Sequence, residues 1–274
     1  MSARGRLLSG LATIVISLAG FVVVGPLPAA ANSGSVQYVA LGDSFAAGQG
    51  AGSYLNSCLQ STKGYPELLD SEKRIHLRAN EACSGATTSE VVETQLSALN
   101  RGTRLVTLTV GGNDLDVSGL ATLCLTTPAN CEAEILERLD LLDELGRDLT
   151  DLYAEVADEA PKARIVVTGY PRLLEATAPF PPDLIAALNF ATSELNRTIR
   201  EAVEAARATR VDIVYVDVTI AFTGHGIGGG LVPFINPPGS PDAFHPNAAG
   251  YLAYAAAISA ALPAEWLDEQ KQLV

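Results

Sequence analysis

The chain has 274 residues, 48% of them hydrophobic and 18% charged, with a formal net charge of −13. That length suits one well-buried domain, and the composition is that of a globular protein rather than a disordered one. With 18 Lys and Arg against 31 Asp and Glu, nucleic acid is excluded as a partner, because phosphate-backbone binding runs on cations; anionic membranes are repelled at long range.

Arg4 and Arg6 precede an uncharged apolar run from Leu7 to Val24, and Pro26, Pro28 and Ala29-Ala30-Ala31 follow it. This order of positive, apolar and small-residue regions reads as a secretory signal peptide over 1–31, with cleavage expected after Ala31. An uncleaved membrane anchor is the alternative, since the apolar run is near the length that spans a bilayer. Residues 32–274 are then one domain.

Ser35 to Leu41 is apolar and β-branched enough for a buried strand, which Gly42-Asp43-Ser44 ends. Gly48, Gly50 and Gly52 make a loop, but neither a Lys-Ser/Thr nor a dinucleotide spacing accompanies them, so it is no phosphate cradle. Tyr65-Pro66 opens a short helix, and Ile75 to Ala82 alternates as a second strand. Cys83-Ser84-Gly85-Ala86-Thr87-Thr88 is another strand-to-helix junction, with Thr87 or Thr88 able to cap the helix outlined by Val91, Val92, Leu96 and Leu99.

The third strand, Leu105 to Val110, runs into Gly111-Gly112-Asn113-Asp114. A cysteine-closed loop then leads to a long helix from about Glu132 to Glu159, striped by Ile135, Leu139, Leu142, Leu145, Leu149 and Leu152. Arg164 to Thr168 is a fourth strand, Asp183 to Ala208 a helix and Asp212 to Val218 a fifth strand. Strands alternating with helices predict an α/β fold with a parallel sheet and right-handed crossovers. Gly224 to Gly239 reads as irregular and delivers Asp242-Ala243-Phe244-His245 to a final helix.

Export makes the four cysteines legible as disulfides. Three pairings are open; Cys58–Cys83 with Cys124–Cys131 is favoured because each closes a local loop. Zinc is the competitor, but the spacings contain no Cys-x-x-Cys and no His at ligand distance.

A serine hydroxyl attacks only when a base takes its proton. The chain has three histidines, His76, His225 and His245. His76 lies between Arg74 and Arg78 on an alternating strand and is expected to face solvent. His225 sits on a glycine loop that can border a pocket. His245 has Asp242 three residues earlier, where a carboxylate can reach its Nδ1–H and fix the tautomer; the plain alternative is a helix-capping Asp beside a surface His. Oxyanion donors are available at the strand ends, from the Ser44 N–H, the Gly85 N–H and the Asn113 amide. Taken singly, Asn113 is equally a turn residue, and Gly85 equally a place of backbone freedom.

Their order along the chain is more telling. Gly42-Asp43-Ser44, Cys83-Ser84-Gly85, Gly111-Gly112-Asn113-Asp114, Gly169-Tyr170-Pro171-Arg172, Thr223-Gly224-His225 and Asp242-Ala243-Phe244-His245-Pro246 resemble the SGNH or GDSL hydrolases block for block, in particular the secreted actinomycete lipases and esterases. The resemblance implies a flavodoxin-like three-layer α/β/α sandwich with a five-stranded parallel sheet. It implies a secreted serine ester hydrolase (lipase or carboxylesterase) that works through an acyl-enzyme with no cofactor and no metal. Ser44 carries over as nucleophile, His245 as base and Asp242 as its orienter, with Ser44, Gly85 and Asn113 as the oxyanion hole; Asp43 and Asp114 are read as structural. The implied partner is an ester or lipid small molecule, and the chain is expected to be a monomer.

The same resemblance supports the Cys58–Cys83 and Cys124–Cys131 pairs. A third disulfide, usual in those relatives between the loop after strand four and the loop after Thr-Gly-His, has no cysteines here; Gly228 lies near its expected place, and a looser loop is expected. No Gly-x-Ser-x-Gly elbow occurs, so the serine is not positioned as in the α/β-hydrolases. A carbohydrate acetylesterase or a phospholipase with the same site remains an alternative, as does a secreted binding module without activity. Apolar residues around the loops, among them Leu115, Leu120, Leu231, Phe234 and Ile235, favour fatty acyl esters.

Overall fold

Five runs rich in Val, Ile and Leu form the strands β1 (Val36–Gly42), β2 (Ile75–Asn80), β3 (Leu105–Thr109), β4 (Arg164–Thr168) and β5 (Ile213–Val216). They make one parallel sheet in the order β2-β1-β3-β4-β5. The computed structural model describes residues 34–72 and 74–272, so the segment read as a signal peptide, with its cleavage after Ala31, lies outside the described residues.

Side chains alternate across a strand, and here the central strands β1, β3 and β4 are buried on both faces, as parallel sheets require, while the edge strand β2 leaves His76 exposed. Val36, Tyr38 and Ala40 of β1 point into one cluster, with Tyr65 and Leu69 of α2 (Tyr65–Asp70), Tyr251, Tyr254 and Ile258 of α8 (Ala248–Ala260) and Trp266 of α9 (Ala264–Gln272). Val39 and Leu41 point into the other, against Val91 of α3 (Thr88–Thr94), Leu145 to Val156 of α6 (Leu142–Glu159) and Leu195 to Ala206 of α7 (Pro182–Ala208). The result is the three-layer α/β/α sandwich expected.

Two local devices bring the chain to the sheet's carboxyl edge. Gly42 has φ +127°, and a Cβ there would stand 2.1 Å from Thr109 O, so the close approach of β1 to β3 requires glycine. Thr87 caps α3 through a capping box with Glu90, as its position in the sequence suggested.

Four expectations are corrected. The helix read over 132–159 is two, α5 (Pro128–Leu139) and α6, broken at Asp140-Leu141. Ile135 packs into a small satellite cluster with Leu120, Cys124, Cys131 and Leu184, whereas Leu142 to Leu152 pack on the sheet, and one straight helix cannot serve both directions. The cysteine-closed segment is helical too: α4 (Val117–Thr126) and α5 form a hairpin stapled by Cys124–Cys131. β2 and β5 stop early because Asn80 and Asp217 each fold the chain by accepting a backbone N–H two residues on, from Ala82 and Thr219. α9, beyond the last helix expected, adds Trp266 and Leu267 to the core.

Both favoured disulfides are formed, with sequence separations of 25 for Cys58–Cys83 and 7 for Cys124–Cys131. The loop expected to be loose for want of a third is tied by other means. Ile227 N–H donates to Leu173 O at 2.9 Å, Glu175 N–H to Ile227 O at 3.0 Å and Thr177 Oγ1 to Gly228 O at 2.6 Å. A Cβ on Gly228 would meet Ala178 Cα at 2.2 Å, so the two backbones are in direct contact.

Constraining the unfolded chain stabilises by about 3.5 kcal/mol for a loop the size of the first disulfide and about 2.3 kcal/mol for the second. Replacing Cys58 and Cys83 by alanine is therefore expected to lower unfolding free energy more than replacing Cys124 and Cys131, as measured by guanidinium titration.

Candidate active site

Gly42 ends β1, and Asp43, extended at φ −98°, caps the single turn α1 (Ser44–Ala47) by accepting the Phe45 N–H at 2.9 Å. Ser44 therefore stands at the carboxyl edge of the sheet, where open α/β folds bind ligands. It is 6% exposed and His245 is 8% exposed. His245 Nε2 lies 2.8 Å from Ser44 Oγ, across 201 residues of sequence. That contact makes proton transfer from hydroxyl to imidazole geometrically available.

Asp242 does not make the contact expected of it. His245 Nδ1 faces the backbone carbonyl of Ala243 at 3.1 Å, while the Asp242 carboxylate accepts the Tyr54 hydroxyl at 2.6 Å and Gln49 Nε2 at 3.3 Å. The reason is a tight turn: Phe244 takes φ +69°, and the His245 N–H donates back to Asp242 O at 3.2 Å. A carbonyl inside the turn thus reaches the ring first. Burial pushes the imidazole below its ordinary value of 6.5, opposed by the Ala243 carbonyl and by the negative charge of Asp242.

The three expected oxyanion donors sit at neighbouring junctions. The Ser44 and Gly85 N–H groups are in no hydrogen bond among the described residues. Asn113 donates one amide hydrogen to Ala86 O at 2.9 Å, which leaves its second hydrogen for a ligand. Ser44, Asn113 and His245 line one pocket; Gly85 is held beside it between Ala86 and Ser84, whose hydroxyl donates to Gln49 Oε1 at 2.6 Å.

Asp43 and Asp114 hold junctions, as read from the sequence. Asp114 accepts the Thr88 N–H and hydroxyl, the latter at 2.6 Å. Asp43 also takes the Tyr170 hydroxyl at 2.5 Å, and Tyr170 in turn accepts the Gly112 N–H at 2.9 Å. Burial pushes the Asp43 carboxyl up to about 7, against the hydrogen bonds from Tyr170 and the backbone that hold it down.

Several residues of the site carried no readable signal. Gln95 brackets Gly42, accepting its N–H at 2.7 Å and donating to its carbonyl at 2.9 Å. Gln49 and Tyr54 hold Asp242, and Phe45 packs 5.0 Å from Tyr170 and 5.2 Å from His245 between ring centroids. Glutamines and tyrosines on loops look alike in sequence whether or not they bridge; only the two partners' convergence in space distinguishes these. His225 is elsewhere, stacked 3.7 Å from Phe234 with Nδ1 against Val232 O, and His76 is exposed beside Asp70.

The pocket is mainly apolar, walled by Leu115 and Leu120 below the Asn113 turn, Leu139 at the end of α5, Leu188 and Leu195 of α7, and Phe244. Of the apolar loop residues singled out, Leu115 and Leu120 belong to it. Phe234 and Ile235 pack in the core and Leu231 is 55% exposed.

A model of the GDSL-like lipase/acylhydrolase family matches residues 40–253. Lipase 1 of Streptomyces coelicolor is 34% identical over 263 residues, covering 90% of this chain and 94% of the relative. Among solved structures, an extracellular lipase from Streptomyces rimosus superposes with a TM-score of 0.77 at 32% identity, over 83% of this chain and 100% of its own. Phospholipase A1 from Streptomyces albidoflavus does so with a TM-score of 0.77 at 33% identity, over 83% and 99%. The chain belongs to the GDSL-like lipase/acylhydrolase family and is a carboxylic ester hydrolase.

Proposed function

We propose that this is a secreted lipase or carboxylesterase whose nucleophile is Ser44 and whose base is His245. The observation that carries the reading is the 2.8 Å contact between Ser44 Oγ and His245 Nε2. His245 takes the hydroxyl proton as Ser44 attacks the ester carbonyl, and the oxyanion is held by the Ser44 and Gly85 N–H groups and the Asn113 amide. His245 then returns the proton to the leaving alkoxide, and the same imidazole activates the water that frees the acyl group.

In this mechanism Ala243 O holds the Nδ1 tautomer, and Asp242 acts at one remove. Its carboxylate anchors the base loop and favours the imidazolium through space. The leucine-walled pocket takes the acyl chain, which favours fatty acyl esters over the acetyl groups of polysaccharides. Export rests on the segment 1–31 and on the extracellular relative; no helix among the described residues is long and apolar enough to cross a membrane.

Ser44→Ala is expected to fold normally while losing at least a thousandfold in kcat on p-nitrophenyl butyrate and all labelling by a fluorophosphonate probe. Retained turnover would sink the assignment. Asp242→Asn should cost far less than the ~10⁴-fold loss seen when a triad carboxylate is replaced, because no contact to the ring is broken.

The acid limb of kcat/KM reports the free enzyme's base. Because burial lowers the His245 value, the midpoint of that limb should lie below 6.5. A midpoint near 7 would instead implicate Asp43.

Filling the pocket with Leu120→Phe should shift the chain-length optimum downward. About tenfold is expected to be lost on p-nitrophenyl decanoate, with acetate changed less than threefold, since a methylene or two of misfit is worth about 1–3 kcal/mol.

A further inference from the structure

Between Asp217 and Asp242 the sequence has no Asp, Glu, Lys or Arg, in a chain that carries 31 acids and 18 Lys and Arg elsewhere. A buried segment would explain this, but much of the stretch is at the surface. Ile220 is 78% exposed, Val232 69% and Leu231 55%, and Pro233, Pro237 and Pro238 are exposed with them. Soluble chains rarely leave so many apolar side chains together in water without a use for them.

The segment is held in shape. Leu231 N–H donates to Gly224 O at 3.2 Å, and Val232 O accepts the His225 ring at 2.7 Å, so both residues are pinned over the 220–225 turn. Inside it, Phe222 and Phe234 pack edge to face on the core, which leaves Ile220, Leu231 and Val232 facing out.

It is also continuous with the site. Asn236 N–H donates to His245 O at 2.9 Å, and Ile235 bridges to Pro246. On the pocket's other wall, Ile227 bridges to Leu174, whose carbonyl accepts Asn189 of α7 at 3.0 Å. Phe190, next on α7, is 53% exposed.

We propose that the Thr219–Pro241 segment is a docking surface for a lipid aggregate of no net charge, with Ile220, Leu231 and Val232 as the side chains that enter it. Charge selects this occupant. An anionic bilayer would be repelled by the rest of the molecule at ordinary ionic strength, while the segment itself presents no ion to desolvate and only apolar groups to bury. Docking there would bring the Ser44 pocket to the surface from which acyl chains must be drawn. The inference rests on the ester-hydrolase reading above, but concerns where the substrate is met rather than how it is cleaved.

The test uses extruded vesicles of ether-linked phosphatidylcholine, which carry no ester to cleave, and follows co-flotation of the full-length secreted protein. The wild type is expected to float with them, and Ile220→Asp/Val232→Asp to lose at least tenfold in partitioning while kcat/KM on soluble p-nitrophenyl butyrate stays within twofold. Leu252→Asp is the control. Gly250 packs on Phe234 and Phe222, so a residue two further along α8, about 200° around the helix, stands away from the segment, and its charge should leave flotation unchanged.

The proposal is overturned if the wild type does not float, if the double variant floats as well as the wild type, or if phosphatidylglycerol vesicles capture the protein as strongly. A parallel loss of soluble-ester turnover would also overturn it by assigning the segment to the site itself, and a variant-dependent change of oligomeric state by sedimentation would make it a self-interface. If soluble-ester turnover is absent from the wild type as well, the hydrolase reading fails instead.

Discussion

The contact between His245 and Ser44 is the one on which the rest depends, and neither residue can secure it. A hydroxyl and an imidazole that meet across 201 residues do so only if two surface loops are locked to each other. The lock is the stretch after α1. A Cβ at Gly50 would stand 2.3 Å from Pro246 O and 2.9 Å from His245 Cβ, and Gly50 itself accepts Asn236 from the base loop at 3.0 Å. Gln49 and Tyr54 take the Asp242 carboxylate from the same side. The serine and the loop that grips its base are therefore consecutive in the chain, which is why the geometry holds without a long covalent tie.

Beneath the nucleophile lies a different economy of charge. Asp43 is fully enclosed, and its carboxyl serves a helix cap on one oxygen and Tyr170 on the other. Tyr170 continues the chain of donors to Gly112, one residue before Asn113. The turn that presents Ser44 and the turn that presents Asn113 are thus held to each other through one phenol. A network of this kind is costly to leave half-satisfied, which makes the two turns a single rigid unit. The departure at Asp242 follows the same logic: its carboxylate is already engaged by a phenol and an amide, and a backbone carbonyl, which cannot titrate, faces the imidazole instead.

Much of this arrangement is legible in the amino-acid sequence. Four strands are readable because buried parallel strands are continuous apolar runs, β2 because it alternates, and the junctions because Gly-Asp-Ser, Gly-Gly-Asn-Asp and the capping Thr87 are local chemistry. Ser44 and His245 were readable because a chain with three histidines offers few bases. The break between α5 and α6 was not readable, since an unbroken leucine stripe looks the same whether it faces one cluster or turns from one to another. Gln49, Tyr54 and Gln95 were silent because a bridging side chain is marked by its partners' positions, not by its neighbours in sequence.

What the amino-acid sequence determined by itself was therefore mostly local: the five strands, the cap at Thr87, the glycines that allow close approach and the residue types able to do acyl-transfer chemistry. What only the tertiary structure decided was which of these groups meet. Asp242 lies three residues from His245 and was the natural partner on spacing, yet the αL turn at Phe244 gives Nδ1 to Ala243 O and sends the carboxylate to Tyr54. Spacing bounds the distance two side chains can span, but the backbone dihedrals between them and the competition from distant partners choose the contact that is made.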